Sequence, residues 1–244
     1  MLKYFIYFLL VITLQAKDVN IALAANVSFA INNLISQFNK TYPDIKIKYT
    51  IGGSGKLASQ IKRGAPYDIF MSANMKYPQA LYHDGDAKTK PVVYAKGSLA
   101  LFSTQERDFS KGLELLKDKS ITKIAMANPR TAPYGVAAKE ALENAKLYKE
   151  IKPKLVYGES ISQTVAYANT VTDVGIIAKS ALFSKKMQQY KEWKNWVEVN
   201  SSLYTPISQG IVILKNSDEA KKVYDFMLSD KAKKIFKEYG YIVE

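Results

Sequence analysis

Cysteine is absent from the 244 residues, which removes thiol nucleophiles, thiolate zinc sites, iron–sulfur clusters and disulfides in one step. Histidine occurs once, at His83, so a Ser-His-Asp triad or a multi-histidine metal centre has a single ring to be built around. Arginine is scarce: Arg63, Arg107 and Arg130 are all there is. Nucleic-acid readers cluster arginine for bidentate contacts to bases and phosphates, and here the positive charge is dispersed lysine, so no nucleic-acid partner is expected. The chain also lacks repeats, low-complexity tracts and any apolar run of the roughly 20 residues that a membrane-spanning helix needs.

What is present is the composition of a globular protein, 48% hydrophobic and 23% charged, with room for one large domain or two small lobes. A folded chain of this size buries roughly 70–75% of its unfolded surface and needs no metal or disulfide to hold it. Lysine and arginine number 35 against 22 acidic residues, a net charge of +13. Such a surface is chiefly solvated, and its field also raises the local concentration of small anions.

The N-terminus has the three-part layout of a secretory signal: Lys3, an apolar run over 4–14, then Gln15-Ala16 before the polar Lys17-Asp18. Residues 1–16 are expected to be removed after Ala16, leaving a chain that works outside the cytoplasm, although a buried first helix is the alternative. Without cysteine the processed end has no site for a lipid anchor.

From there strand-like and helix-like segments alternate to the end, which argues for an α/β layered fold. Strands are expected at 19–23, 45–51, 68–71, 92–95, 99–103, 123–127, 154–157, 173–177 and 209–214. Ile31, Leu34, Ile35 and Phe38 mark one face of the first helix at the spacing i, i+3, i+4, i+7. Further helices are expected at 57–62, 110–118, 134–145, 161–168, 217–228 and 229–238. Short, very apolar strands with helices between them suggest mostly parallel sheets covered on both faces.

Four junctions between strand and helix carry small or cap-forming residues, where first-turn backbone amides have no partner inside the helix and attract anions. In Ala24-Ala25-Asn26-Val27-Ser28, either Ser28 or Asn26 can cap the first helix. Gly52-Gly53-Ser54-Gly55-Lys56-Leu57 resembles a phosphate loop, but Leu57 stands where the Walker spacing requires a hydroxyl, so nucleotide binding is not expected. In Asn128–Gly135, Pro133 suits the first helical position and leaves the amides of Tyr134 and Gly135 as donors. Ser160 and Gln163 form a capping box that leaves the amide of Ile161 free. Each junction alone reads equally well or better as ordinary capping or turn structure. Together, in an exported basic chain, they point to capture of an oxyanion by neutral donors.

The order of these segments resembles the periplasmic molybdate-binding proteins of ABC importers, over essentially the whole chain after the leader. The blocks that carry the likeness are AANVSFAI at 24–31, GGSGKLASQIKRGAPYDIFMSAN at 52–74, NPRTAPYGVAAKEAL at 128–142, VGII at 174–177 and AKKIFKEYGY at 232–241. The resemblance implies a type II periplasmic binding protein fold, α/β and two-lobed, each lobe a mostly parallel sheet flanked by helices. Lobe I would comprise 17–96 and 205–244, and lobe II 97–204. The ligand, molybdate or tungstate, would lie in the cleft, held by donors from Asn26, Ser54, Tyr134 and Ile161 that touch its oxygens and not the metal. The partner would be a membrane permease, the chain a monomer, with no cofactor and no catalysis. Family members often carry a tyrosine donor after the Gly-Ile-Val-type strand, a position occupied here by Ala178, so a fifth contact is lost or replaced.

Molybdate and tungstate are fully ionised at neutral pH, so a site made only of donors can satisfy every oxygen. A monoprotonated phosphate brings a hydrogen that needs an acceptor, and leaving a buried polar group unpaired costs about 1–3 kcal/mol. Sulfate has the same charge and is rejected only by size, which keeps a receptor for sulfate, thiosulfate or another oxyanion open as the alternative. A secreted hydrolase with Ser54 as nucleophile lacks a base, since His83 is expected far away and Lys56 would need a strongly depressed pKa. Lys56 and Arg130 read as surface residues that tune the field, His83 as structural, and Tyr190, Trp193 and Trp196 as a packing cluster.

Overall fold

The structure is a computed structural model in which residues 17–243 are described. The expected leader over 1–16 lies outside the described residues. The opening strand, β1 (Lys17–Ala24), leads through a single 3-10 turn (Ala25–Phe29) into α1 (Ile31–Asn39), which buries Ile31, Leu34 and Phe38. There follow β2 (Ile45–Gly52), α2 (Ser54–Lys62), β3 (Ile69–Met71), α3 (Lys76–His83) and β4 (Val92–Gly97). Ser98 alone separates β4 from β5 (Leu99–Phe102), the first strand of a second sheet. That sheet is completed by β6 (Ile124–Ala127), β7 (Leu155–Gly158), β8 (Val174–Ala178) and β9 (Trp196–Glu198). Its helices are α4 (Pro133–Asn144), the short α5 (Tyr148–Ile151) and α6 (Ile161–Thr170). The chain then returns to the first sheet as β10 (Ile207–Ile213) and ends in α7 (Asp218–Leu228) and α8 (Asp230–Glu238).

The two sheets have the same plan, β2-β1-β3-β10-β4 and β7-β6-β8-β5-β9. In each, one strand opposes the other four: β10 is antiparallel to both β3 and β4, and β5 to both β8 and β9. The mostly parallel expectation therefore holds for strand direction, while half of the pairings are antiparallel. The odd strands are the two that carry the chain into the second sheet and back into the first. A short crossing from sheet to sheet leaves no room for the helical connection that a parallel neighbour requires.

Apolar strand faces bury against the helices in two principal clusters. One gathers Ile21, Leu23, Leu34 and Phe226 on the first sheet, and the other Leu101, Met126, Leu142 and Ile176 on the second. Ala24, Ala25 and Ala73 belong to the first sheet's elements yet pack in the same cluster as Tyr134 and Ile161. The cleft between the lobes is thus closed.

Several local expectations change. The helix expected at 110–118 is a 3-10 segment, Phe109–Lys117, broken at Gly112, whose φ of 53° no helix accommodates. Strand β9 was not expected, and it forms because its pairing with β5 supplies the order that local propensity does not. Neither Ser28 nor Asn26 caps α1: Ser28 donates to the Ala25 carbonyl, and the residue before the helix is Ala30, with no side-chain cap. Trp196 and Tyr190 pack in the second sheet's core as expected, Tyr190 edge-on to Phe102, but Trp193 is 62% exposed and stands outside it.

Candidate oxyanion site

Asn26, Ser54, Tyr134 and Ile161 come together around one small cavity in the closed cleft. The first two are supplied by the turn after β1 and the start of α2, the others by the starts of α4 and α6. Their exposures are 0%, 1%, 1% and 3%, so whatever binds there is shielded from bulk water. No Asp, Glu, Lys, Arg or His lines the cavity among the described residues.

Each donor has a local cause. Ser54 opens α2, and its Oγ accepts the Ala73 N–H at 2.9 Å, which leaves the hydroxyl hydrogen to donate elsewhere. Ser160 accepts the Gln163 N–H at 3.3 Å while Gln163 Oε1 accepts the Glu159 N–H at 2.7 Å, the reciprocal capping expected at α6. The box leaves the Ile161 amide, at the first position of the helix, pointing outward. At α4 one expectation fails: the Gly135 N–H is used by the Ala132 carbonyl at 2.9 Å, so of the two amides only that of Tyr134 serves the cavity.

Asn26 also departs from expectation. Its Nδ2 gives hydrogens to Gln209 Oε1 at 2.7 Å and to Tyr241 Oη at 3.0 Å, and Oδ1 is buried without a hydrogen-bond partner. An orphaned buried oxygen costs about 1–3 kcal/mol. Behind it the network continues: Tyr94 Oη donates to Gln209 Oε1 at 2.7 Å, and Gln209 Nε2 donates to Tyr134 Oη at 3.3 Å. Burial drives the Tyr94 and Tyr134 hydroxyls well above the ordinary tyrosine value, so they remain neutral donors.

The lobes touch through backbone around the cavity. Gly55 N–H donates to the Thr131 carbonyl at 3.2 Å, and a Cβ at Gly53 would lie 3.0 Å from the same oxygen and 3.1 Å from that of Glu159. Glycine at 53 is what lets these backbones meet. Outside, Lys56 Nζ stands 3.9 Å from Glu159 Oε2 across the mouth, with 63% and 79% of their side chains exposed.

Sequence reasoning missed Gln209, Tyr94, Tyr241 and Ala73. A buried amide within the apolar run of β10 is the signal that Gln209 carried, since strands of this kind rarely hold a polar residue without a partner. Ala178 is buried at the end of β8 and does not line the cavity, so it supplies no fifth contact. Arg130 is exposed and His83 ends α3 at the surface; neither reaches the site.

Two similar lobes shut on a small, buried, uncharged chamber define a binding protein that encloses a small solute in its cleft. Residues 19–242 match the family described as bacterial extracellular solute-binding protein. The chain belongs to that family. It is 35% identical over 235 residues to the molybdate-binding protein ModA of Rhodobacter capsulatus, covering 94% of this chain and 90% of that one. The periplasmic molybdate-binding protein of Azotobacter vinelandii superposes with a TM-score of 0.84 at 28% identity, covering 93% of this chain and 99% of that one. The substrate-binding domain of a putative molybdenum ABC transporter from Clostridium difficile gives 0.67 at 29% identity, covering 93% and 99%.

Proposed function

We propose that this chain is the molybdate-binding component of an ABC importer, which captures the oxyanion outside the cytoplasm and delivers it to a membrane permease and its ATPase. The observation that carries this reading is the convergence of neutral donors from both lobes on a buried cavity with no charged lining. Ser54 Oγ–H, the amides of Tyr134 and Ile161, and the Asn26 side chain would solvate the oxygens. Preorganised donors in a buried site bind a dianion without having to immobilise a lysine. Tungstate, nearly the same size, is held by the same contacts, and no cofactor takes part.

In the working protein the leader is removed after Ala16, the mature chain is a monomer, and lobes of 17–96 with 205–244 and of 97–204 hinge about the two crossovers. The relatives are transport proteins, and Ser54 is bonded to the Ala73 amide and to no base, which supports binding over hydrolysis. Calorimetric titration with molybdate, tungstate, sulfate and phosphate tests the reading. The first two should bind tightly and the others weakly. Sulfate that displaces molybdate readily would make the chain a general oxyanion receptor, and binding of none of them would end the proposal.

A further inference from the structure

The donor arrangement at Asn26 is the wrong way round for an anion. Asn26 lines the cavity, and with both Nδ2 hydrogens held by Gln209 and Tyr241, neither of which lines it, the side-chain polar atom left without a partner is the acceptor Oδ1. A carboxamide turned over occupies the same space, because its NH2 and oxygen ends are nearly isosteric. The turn is blocked only by hydrogen bonding, since Oδ1 would then face Gln209 Oε1 at 2.7 Å.

We propose that Gln209 is a positioning residue for oxyanion capture: by turning its own carboxamide it allows that of Asn26 to turn, so that Asn26 presents NH2 to the bound oxyanion. The inference rests on the oxyanion-binding reading above. Every hydrogen in the reversed network has a destination already in place. Gln209 Nε2, now at the position of Oε1, donates to Asn26 Oδ1 and to Tyr94 Oη, each 2.7 Å from that position. Tyr94 redirects its hydrogen to the Ser72 carbonyl at 3.4 Å. Gln209 Oε1, now facing Tyr134 Oη, accepts the hydrogen of that hydroxyl across the lobe boundary. Tyr241, which donates to the Asn26 carbonyl at 2.9 Å, donates to Oδ1 instead, and Ser180 Oγ, 3.4 Å from the same carbonyl, takes over there. The reversal removes the orphan and places two donors at the cavity.

Gly97 makes this pairing possible. A Cβ there would lie 2.0 Å from Tyr134 Oη and 2.8 Å from Gln209 Nε2, so the crossover between the sheets is bare where the two side chains meet.

The test titrates molybdate into the wild type, Gln209→Met and Tyr134→Phe, with side-chain amide 1H–15N spectra recorded before and after saturation. Tyr134→Phe keeps the backbone amide of that residue and deletes only the network's far end. In the wild type the NH2 signals of Asn26 and Gln209 should both shift on saturation. Both variants should fold and bind about tenfold more weakly, a loss of 1.4 kcal/mol. Unmoved Asn26 and Gln209 signals at saturation, or wild-type affinity in the variants, would overturn the role of Gln209. A wild type that folds and binds no oxyanion would instead overturn the functional reading beneath it.

Discussion

The two lobes contribute to the cavity in different chemical forms. The first offers side chains, Asn26 and the Ser54 hydroxyl, each held by bonds to residues of its own lobe, such as Gln209 and the Ala73 amide. The second offers main-chain N–H groups at the starts of α4 and α6, held by the helices themselves. Side-chain donors are tunable and need a supporting shell. Backbone donors are rigid, come with the helix dipole, and survive most substitutions. The orphaned oxygen lies on the side-chain half, where a carboxamide can take either of two orientations, whereas the direction of a main-chain N–H is fixed by its helix.

The largest expected effect falls where the halves join. Gly97→Ala would drive a methyl into Tyr134 Oη and Cζ, at 2.0 and 2.9 Å, and the fully buried ring has no free space to move into. Overpacking of this severity costs about 3 kcal/mol or more, and molybdate affinity should fall over 100-fold by calorimetry. Retained affinity would mean that the Tyr134 ring is free to move without taking its amide along.

One deletion in each lobe sharpens the contrast. Ser54→Ala should weaken binding by about 1.5–3 kcal/mol, since the lost bond is to a charged acceptor, and should lower the melting temperature by stranding the Ala73 amide. On the backbone side, only proline removes a donor. Ile161→Pro is suited to the first helical position, and Ser160 already has the extended backbone (φ −139°, ψ 164°) that precedes proline. A comparable loss of affinity is expected there, with Ile161→Val binding as the wild type. Equal binding by the proline variant would remove the second lobe's amide from the contact set.

A smaller effect follows from the tyrosines behind the cavity. Burial raises the hydroxyls of Tyr94 and Tyr134 above the ordinary value of 10.0, so the folded chain keeps protons that the unfolded chain releases. Their contribution to stability is complete below about pH 10 and is lost as pH rises beyond it. Chemical denaturation should give a flat profile from these groups between pH 6 and 9 and a falling one above pH 10. Tyr94→Phe should reduce that alkaline slope by about 1.4 kcal/mol per pH unit. The smallest effect belongs to the ion pair at the mouth: Lys56→Met should change affinity by no more than about 0.5 kcal/mol, because both partners are largely solvated.

Much of the fold was legible because it rests on local signals. The strand-helix alternation, the apolar stripe on α1 and the capping box at Ser160 and Gln163 are all short-range patterns. The same is true of the four junctions, since proline, glycine and serine at helix starts act within a turn. Strand β9 and the antiparallel placement of β5 and β10 were not legible, because each is set by partners distant in the chain.

Residue order alone therefore specified the capping box at Ser160 and Gln163 and the proline that opens α4, since such helix starts are determined by neighbours a few positions apart. It could not specify which end of the Asn26 amide faces the cavity. That depends on Gln209 and Tyr241, 183 and 215 positions away, and on a tyrosine from the opposite lobe. A hydrogen bond's direction is decided by every partner in its network at once, and only the folded chain assembles them.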